Sequence, residues 1–293
     1  MQQKKEFVNR RSLEFVEIGV YDEEELHKCG LMPNKNVAVE LDALECLRFF
    51  PNIENLILRP GEVRPEGLMY LSDLPIVSLR IDYYADCIDA YTISLRHFPR
   101  LQYLFSRTQF GFSDLSACLS LQTLVVQEWS GNNLINLQGE NLLALKILSG
   151  RLHSLNGLQN IPLLRSLSIS NQRELSDVQE LAHCNGLESL SFERCGRVNT
   201  ADIPPLSELQ YLALVGTRRV ENLSFLKRFP RLENVMLGIE ISDGDLQKLF
   251  EMKNVAILQD RRNYSAKHRD LPKSPPFHSA YIPAWLEILP EAL

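Results

Sequence analysis

The sequence predicts an α/β solenoid. Short strands lie side by side in one parallel sheet, and a turn and a short 3₁₀ or irregular leg return each strand to the next. Three observations predict it. The letters FPRL occur at 98–101 and again at 229–232, inside a longer shared pattern: Leu95-xx-Phe98-Pro-x-Leu101-xx-Leu104 against Leu226-xx-Phe229-Pro-x-Leu232-xx-Val235. A third copy, Leu47-xx-Phe50-Pro-x-Ile53-xx-Leu56-x-Leu58, precedes both. Cores of this kind then recur at anchors Ile53, Ile76, Leu101, Leu121, Leu145, Leu164, Leu187, Leu209, Leu232 and Val255, a step of about 22 residues.

Within each core apolar residues alternate, as in Leu56-Ile57-Leu58 or Leu167-Ser168-Ile169, which sends one side chain inward and the next outward on a short strand. Between cores the spacing changes to three: Leu223, Leu226, Phe229; Leu155, Leu158, Ile161; Val178, Leu181, Cys184; Leu246, Leu249, Met252. A period of three keeps side chains on one edge of a 3₁₀ turn, whereas an α-helix at that period drifts off the core. Proline fixes φ and donates no N–H, so Phe-Pro ends the returning leg and turns the chain into the next strand. The repeated tetrapeptide is thus scaffold. No unit buries both of its apolar edges alone, so neighbours must stack, each buried Leu contributing about 1.5–3 kcal/mol. An earlier copy, Leu13-xx-Val16-x-Ile18, is separated from the array by an insertion around YDEEELHKCGLMPNKN.

The unit Val220-Glu-Asn-Leu223-xx-Leu226-xx-Phe229-Pro-x-Leu232-xx-Val235-x-Leu237 resembles the leucine-rich repeat superfamily, in the 22-residue class of bacterial internalins and of a eukaryotic phosphatase-regulatory subunit. The resemblance covers about residues 41–260. It implies a horseshoe with a parallel concave β-sheet and short 3₁₀ or irregular convex segments, used as a recognition surface. The superfamily places Asn eight residues after the first Leu, where its amide satisfies buried backbone groups. Here those positions hold Gly61, Tyr84, Gln109, Trp129, His153, Gln172, Cys195, Thr217 and Glu240. Buried backbone groups still need partners, so Gln, Thr and Cys are expected to substitute. Ser106 and Gly150 weaken core positions.

The organisation expected is an N-terminal cap with one strand and an insertion over 1–40, the repeats over 41–260, and a C-terminal cap or tail over 261–293. The tail carries Arg261, Arg262, Lys267, Arg269 and Lys273 against Asp270, then Pro275-Pro276 and an apolar run of Phe277, Tyr281, Trp285, Leu286, Ile288 and Leu289. Terminal repeats need shielding, so this tail is expected to pack on the last repeat or fold back along a face, the alternative being an extended arm that docks a partner.

Composition narrows the function. At 293 residues, 45% of them hydrophobic, the chain supports a real core. Its net charge of −6 argues against nucleic acid, which requires clustered cations, and favours a neutral or basic partner. No window approaches the roughly 18 apolar residues of a membrane span, and the start lacks a signal-peptide core, so a cytoplasmic protein is expected. Six cysteines without a CxxC pair fit reduced thiols, and the two tripeptides Asn222-Leu-Ser and Asn263-Tyr-Ser carry little weight as sugar acceptors.

Chemistry-bearing residues read mostly as structure. Cys184, beside His183, falls in the column of Phe50, Phe98, Cys118, Ile161, Leu206, Phe229 and Met252 and is expected to be a small buried hydrophobe. His27 and Cys29 are two ligands only, with nothing nearby to complete a zinc spacing, and Asp82, Asp86 and Asp89 read as a solvated loop. No GxxxxGK[ST], GxSxG or HExxH occurs, so neither cofactor nor metal is expected and the chain is read as no enzyme.

Outward strand positions are more informative, since the core does not explain them. They read Arg80, Asp82, Tyr83; Tyr103, Phe105, Arg107; Thr123, Val125, Gln127, Glu128, with Trp129 close behind. Serines follow at 166, 168, 170, 189 and 191, then Glu193 and Arg194. Aromatics and Arg on an open face are the composition of binding hot spots. The expectation is a non-enzymatic protein-binding module, either an inhibitor of the toxin-immunity type or an adaptor. The alternatives are an enzyme or enzyme-associated subunit with a site between His27 and the tail histidines His268 and His278, and a homo-oligomeric spacer.

Overall fold

In the computed structural model the described residues are 16–18, 36–61, 65–82, 93–108 and 112–257. They form two compact units, the first running to Val126 and the second from Gln127.

In the first unit β1 (Val16–Ile18), β2 (Asn36–Glu40), β3 (Asn55–Arg59), β4 (Ser78–Ile81), β6 (Tyr103–Thr108) and β8 (Thr123–Trp129) follow one another across a parallel sheet, the division between units falling inside β8. Register aligns Val16, Val37, Leu56, Leu79 and Leu104 in one row. A separate pair of two-residue strands, β5 (Ile93–Ser94) and β7 (Phe112–Ser113), lies on the returning legs. In the second unit β9 (Ala144–Gly150), β10 (Ser166–Ser170), β11 (Ser189–Glu193), β12 (Tyr211–Val215), β13 (Asn234–Gly238) and β14 (Asn254–Ile257) run in the same order. Here the row is Leu145, Leu167, Leu190, Leu212, Val235 and Val255. Parallel strands one repeat apart are what a solenoid requires, because each return leg brings the chain back to the same end of the sheet.

Two sets of backbone hydrogen bonds impose the repeat. At strand entry one carbonyl accepts two successive amides of the next repeat: Glu54 O from Val77 and Ser78, Val77 O from Gln102 and Tyr103, Arg165 O from Glu188 and Ser189, Glu188 O from Gln210 and Tyr211. At the end of the leg the Phe-Pro column makes two consecutive three-residue closures. Phe98 N–H donates to Leu95 O at 3.0 Å, and Leu101 N–H donates to Phe98 O at 3.1 Å. Phe50 and Phe229 repeat the pattern. Pro51, Pro99 and Pro230 therefore occupy the second residue of a turn, where a fixed φ is wanted and no donor is missed. The side chains of Phe50, Phe98, Cys118, Ile161, Cys184, Leu206 and Phe229 in this column are all buried; in the last repeat the column is held by the buried Leu249 and not by Met252, which is half-buried.

Three sequence expectations change. A strand at Asn36–Glu40, with Val37 and Val39 fully buried, lies in the stretch read as insertion; its signal is the short Val37-x-Val39 alternation before Leu44 and Leu47. The fifth anchor is Leu142 rather than Leu145, since Leu145 pairs with Leu167 and not with the anchor Leu164, and by the same test the last anchor is Met252 rather than Val255, which pairs with Val235 and not with Leu232. The ladder residue of the repeat anchored at Leu142 is then Gly150 and not His153. Gly150 sits at φ +146°, and a Cβ there would lie 2.1 Å from the Trp129 carbonyl oxygen, so the glycine permits close backbone approach. Ser106 is fully buried but its Oγ donates to Thr108 O at 2.6 Å, which removes the penalty expected of a polar core residue. The calls on His27, Cys29, Tyr83, Tyr84, Asp86, Asp89, Gln109 and residues 261–293 lie outside the described residues.

Phe98 and Pro99 separate packing from turn chemistry. Phe98→Ala is expected to cost about 3–5 kcal/mol through an unfilled cavity, and Pro99→Ala below about 1 kcal/mol. Urea unfolding of the two variants measures the difference, and equal losses would contradict this division of roles.

Candidate protein-binding face

The predicted site residues fall on both units. In the first, alternation on β4 and β6 projects Arg80, Tyr103, Phe105 and Arg107 outward, opposite the inward Leu79, Ile81 and Leu104. Four of the predicted residues meet. Arg107 Nε donates to Asp82 Oδ1 at 2.7 Å, Arg80 Nη2 reaches the same oxygen at 3.4 Å, and the Arg80 guanidinium lies 4.5 Å from the centre of the Phe105 ring. Arg80, Asp82 and Arg107 each keep about a quarter of their side-chain surface exposed, so solvent screens the pairs and each contributes up to about 1 kcal/mol. Stacking on an aromatic ring orients Arg80 and supports its position.

The outward aromatics are less open than the sequence implied. Tyr103 is 9% exposed and Phe105 7%, with Thr123 at 8% and Val125 at 6% beside them. Burial pushes the Tyr103 phenol up to about 12, partly offset by the Arg80 charge. Gln127 is half-buried and Glu128 exposed, whereas Trp129 is 5% exposed and donates from Nε1 to Asn133 O at 3.0 Å. Trp129 occupies the ladder column, which explains why it faces the core.

In the second unit Glu193 and Arg194 are exposed at the end of β11. Arg194 has φ +53°, and the equivalent Asn171 and Gly216 one repeat to either side have φ +52° and +63°. A left-handed conformation costs a side-chain-bearing residue about 1–2 kcal/mol. The cost is tolerated here because Arg194 N–H donates to Val215 O at 2.6 Å and Asn171 N–H to Glu193 O at 2.8 Å. The serines form a smooth strip, Ser166, Ser170 and Ser189 buried and Ser168 and Ser191 half-buried.

The ladder column shows how Asn is replaced. Gln172 is fully buried; its Oε1 accepts from Leu152 N–H at 3.0 Å and its Nε2 donates to Ser170 O at 3.3 Å. Its side chain reaches the backbone of the previous repeat, at Leu152. The Cys195 thiol lies 3.4 Å from Glu193 O and 3.6 Å from Ile169 O. Thr217 does not substitute: its buried Oγ1 has no hydrogen-bond partner. Asparagines do pair elsewhere, at strand entry on the outward face: Asn55 Nδ2 donates to Asn36 Oδ1 and Asn254 Nδ2 to Asn234 Oδ1, both at 2.7 Å. Their sequence signal was the Asn one residue before Leu56, Val235 and Val255.

Nothing described assembles a reactive centre. Burial raises the Cys184 thiol to about 11, with the Glu180 charge adding to it, and the adjacent His183 is exposed and 3.5 Å from Glu180. A thiol kept neutral is a poor nucleophile. Asp82 is engaged by Arg107, and no three potential metal ligands cluster among the described residues. No helix among them is long and apolar enough to cross a membrane.

Two outcomes follow from the ladder. Gln172→Leu is expected to cost about 1–3 kcal/mol by leaving the Leu152 amide unpaired, read by urea unfolding. Burial raises Cys118, Cys184 and Cys195 from 9.0 to about 11, so the stability due to their neutral forms is complete below pH 9 and is lost as pH rises through about 11. Thermal unfolding between pH 8 and 11 checks the sign, and replacing the three by Ala should flatten that part of the profile.

No protein-family model and no curated protein matches the chain. Among solved structures, the crystal structure of an internalin, InlF from Listeria monocytogenes, aligns with a TM-score of 0.51 at 18% identity, covering 82% of this chain and 73% of that one. The functional domain of InlJ from the same organism, described as including a cysteine ladder, aligns at 0.44 and 12% identity over 69% of this chain and 43% of its own. With its parallel strands, 3₁₀ return legs and register of one strand per repeat, the chain has the internalin-type leucine-rich repeat fold.

Proposed function

We propose that this chain is a non-enzymatic protein-binding module that engages its partner through the outward side of its strands. The observation that carries the reading is the Arg80–Asp82–Phe105–Arg107 cluster. It lies on the sheet face opposite the core row, and its guanidinium–aromatic stacking supplies the side chains that dominate protein interfaces. Leu79, Ile81 and Leu104 already account for the core at these strands, so the outward set is not needed to fill it. The second unit by itself exposes Glu193 and Arg194 at the end of β11, Arg194 in a left-handed backbone conformation that most residues avoid.

In its finer form the proposal is a cytoplasmic inhibitor of the toxin-immunity type, or an adaptor, whose net charge of −6 speeds encounter with a neutral or basic partner. Such a complex buries more than about 1,000 Å².

A chain carrying Arg80→Ala, Arg107→Ala and Arg194→Gly tests the face. Arg194→Gly suits the purpose because glycine relieves the left-handed backbone while deleting the guanidinium. Affinity purification from the native host with mass spectrometry, followed by calorimetry with the co-eluting protein, should show a stoichiometric partner for the parent chain. Affinity should fall by about tenfold or more in the variant at unchanged Tm. Undiminished affinity would remove this face from the proposal.

A further inference from the structure

Among the described residues of the second unit, the arginines that lack a carboxylate all stand in the turns that leave the strands. On the flanks Arg165 pairs with Glu188 and Arg231 with Glu208, and the Arg228 guanidinium donates to three carbonyls. The guanidinium groups of Arg151, Arg173, Arg218 and Arg219 reach no carboxylate among the described residues, and that of Arg194 reaches only Asn171 Oδ1, at 3.5 Å. All five are exposed and follow β9, β10, β11 or β12.

Three of these turns share one build. Arg173-Glu174 lies between the buried Gln172 and Leu175, and Leu175 N–H donates to Gln172 O at 3.3 Å. Gly196-Arg197 lies between the buried Cys195 and Val198, and Val198 N–H donates to Cys195 O at 3.0 Å. Arg218-Arg219 precedes the buried Val220, and Arg218 N–H ties this turn to the last by donating to Val198 O at 3.2 Å. The strand register places Arg173, Gly196 and Arg218 at the same position of three successive repeats. Two strand spacings of about 4.8 Å therefore set the backbones of Arg173 and Arg218 about 10 Å apart, with a glycine between them. A Cβ on Gly196 would meet nothing closer than Gly216 O at 3.9 Å, and the exposed Gly196 N–H donates to no carbonyl among the described residues. The middle of the row is thus an open notch with a free amide on its floor and an arginine on each side.

Local charge specifies the occupant. Glu174 is engaged by Arg197 at 2.5 Å. Even with Glu174, Glu193 and Glu221 counted, the five arginines at 173, 194, 197, 218 and 219 leave an excess of +2, in a chain whose total is −6. A guanidinium matches a carboxylate in plane and in donor spacing, and a glycine floor lets a foreign backbone come close. Nucleic acid fits less well, because the three glutamates would lie against its phosphates and the chain as a whole repels a polyanion.

We infer that the turns after β10, β11 and β12 dock an acidic segment of a protein partner, one carboxylate seated over Gly196 between Arg173 and Arg218. This deepens the protein-binding reading and rests on it. The net charge favours a neutral or basic partner as a whole, and the field at this edge selects that partner's acidic part.

A fluorescent peptide of alternating glutamate and glycine, titrated into the full chain, tests the edge without the native partner. Saturable binding that weakens with salt is expected, and none for the matching lysine peptide. Arg173→Ala with Arg218→Ala should weaken binding by about tenfold. Gly196→Leu should do so too with the charge unchanged, since Gly196 is outside the left-handed region and accepts a side chain. Arg165→Ala with Arg231→Ala removes equal charge from the flank and should leave binding as it is. A folded chain that ignores the peptide, equal losses from the flank pair, full affinity in Gly196→Leu, or a single-stranded oligonucleotide of equal charge that binds more tightly would each overturn the assignment. Should one of the two edge variants not fold, the other decides. A chain that binds the peptide but captures no protein from its host would refute the protein-binding reading instead.

Discussion

Each repeat begins where two of its amides converge on one carbonyl oxygen of the repeat before, and most of the fold depends on that contact. Glu54 O, Val77 O, Gln102 O, Leu143 O, Arg165 O, Glu188 O, Gln210 O and Glu233 O all serve in this way. The shared acceptor sets where the next strand starts, and parallel pairing then carries the register along the whole strand. Once register is set, the inward rows coincide and each leucine packs against its counterpart one repeat away. A shift of one residue would turn every inward leucine to the outside, so register errors are strongly disfavoured.

The return legs impose a second constraint at the opposite edge. Closures three residues apart hold the chain tight, and the column led by Phe98 fills the space between the legs and the sheet. Arg228 shows how a charged residue takes part: its guanidinium donates to Thr200 O, Ala201 O and Ile203 O of the preceding turn. Carbonyls that a 3₁₀ turn leaves unpaired are thereby satisfied. On the flanks, Arg165–Glu188, Arg197–Glu174 and Arg231–Glu208 pair across one repeat. Their exposure keeps them weak, so they trim the surface rather than hold it.

Much of this was legible in the sequence because a repeat fold writes its geometry once per unit. The column of Phe50, Phe98, Cys118, Ile161, Cys184, Leu206 and Phe229 was readable as buried from spacing alone, and Phe-Pro as a turn from the chemistry of proline. The slip at Leu145 has the same origin. Leu142, Leu143 and Leu145 offer competing anchors within four residues, and only pairing with β10 decides between them. The strand at Asn36–Glu40 is not marked in the sequence, because Val37 and Val39 lack the leucine before them that marks the other units.

By itself the sequence determined the period, the inward rows and the set of side chains sent outward, since these follow from residue spacing along one chain. Tertiary structure decided which polar groups satisfy the missing asparagine ladder and which outward residues are covered. Gln172 satisfies the Leu152 amide only once the repeats are stacked, because donor and acceptor lie twenty residues apart in the chain. Alternation sends Tyr103 and Phe105 outward, but their burial is decided by neighbours across the sheet, the Arg80 guanidinium stacked on Phe105 among them, which no pattern along one strand encodes.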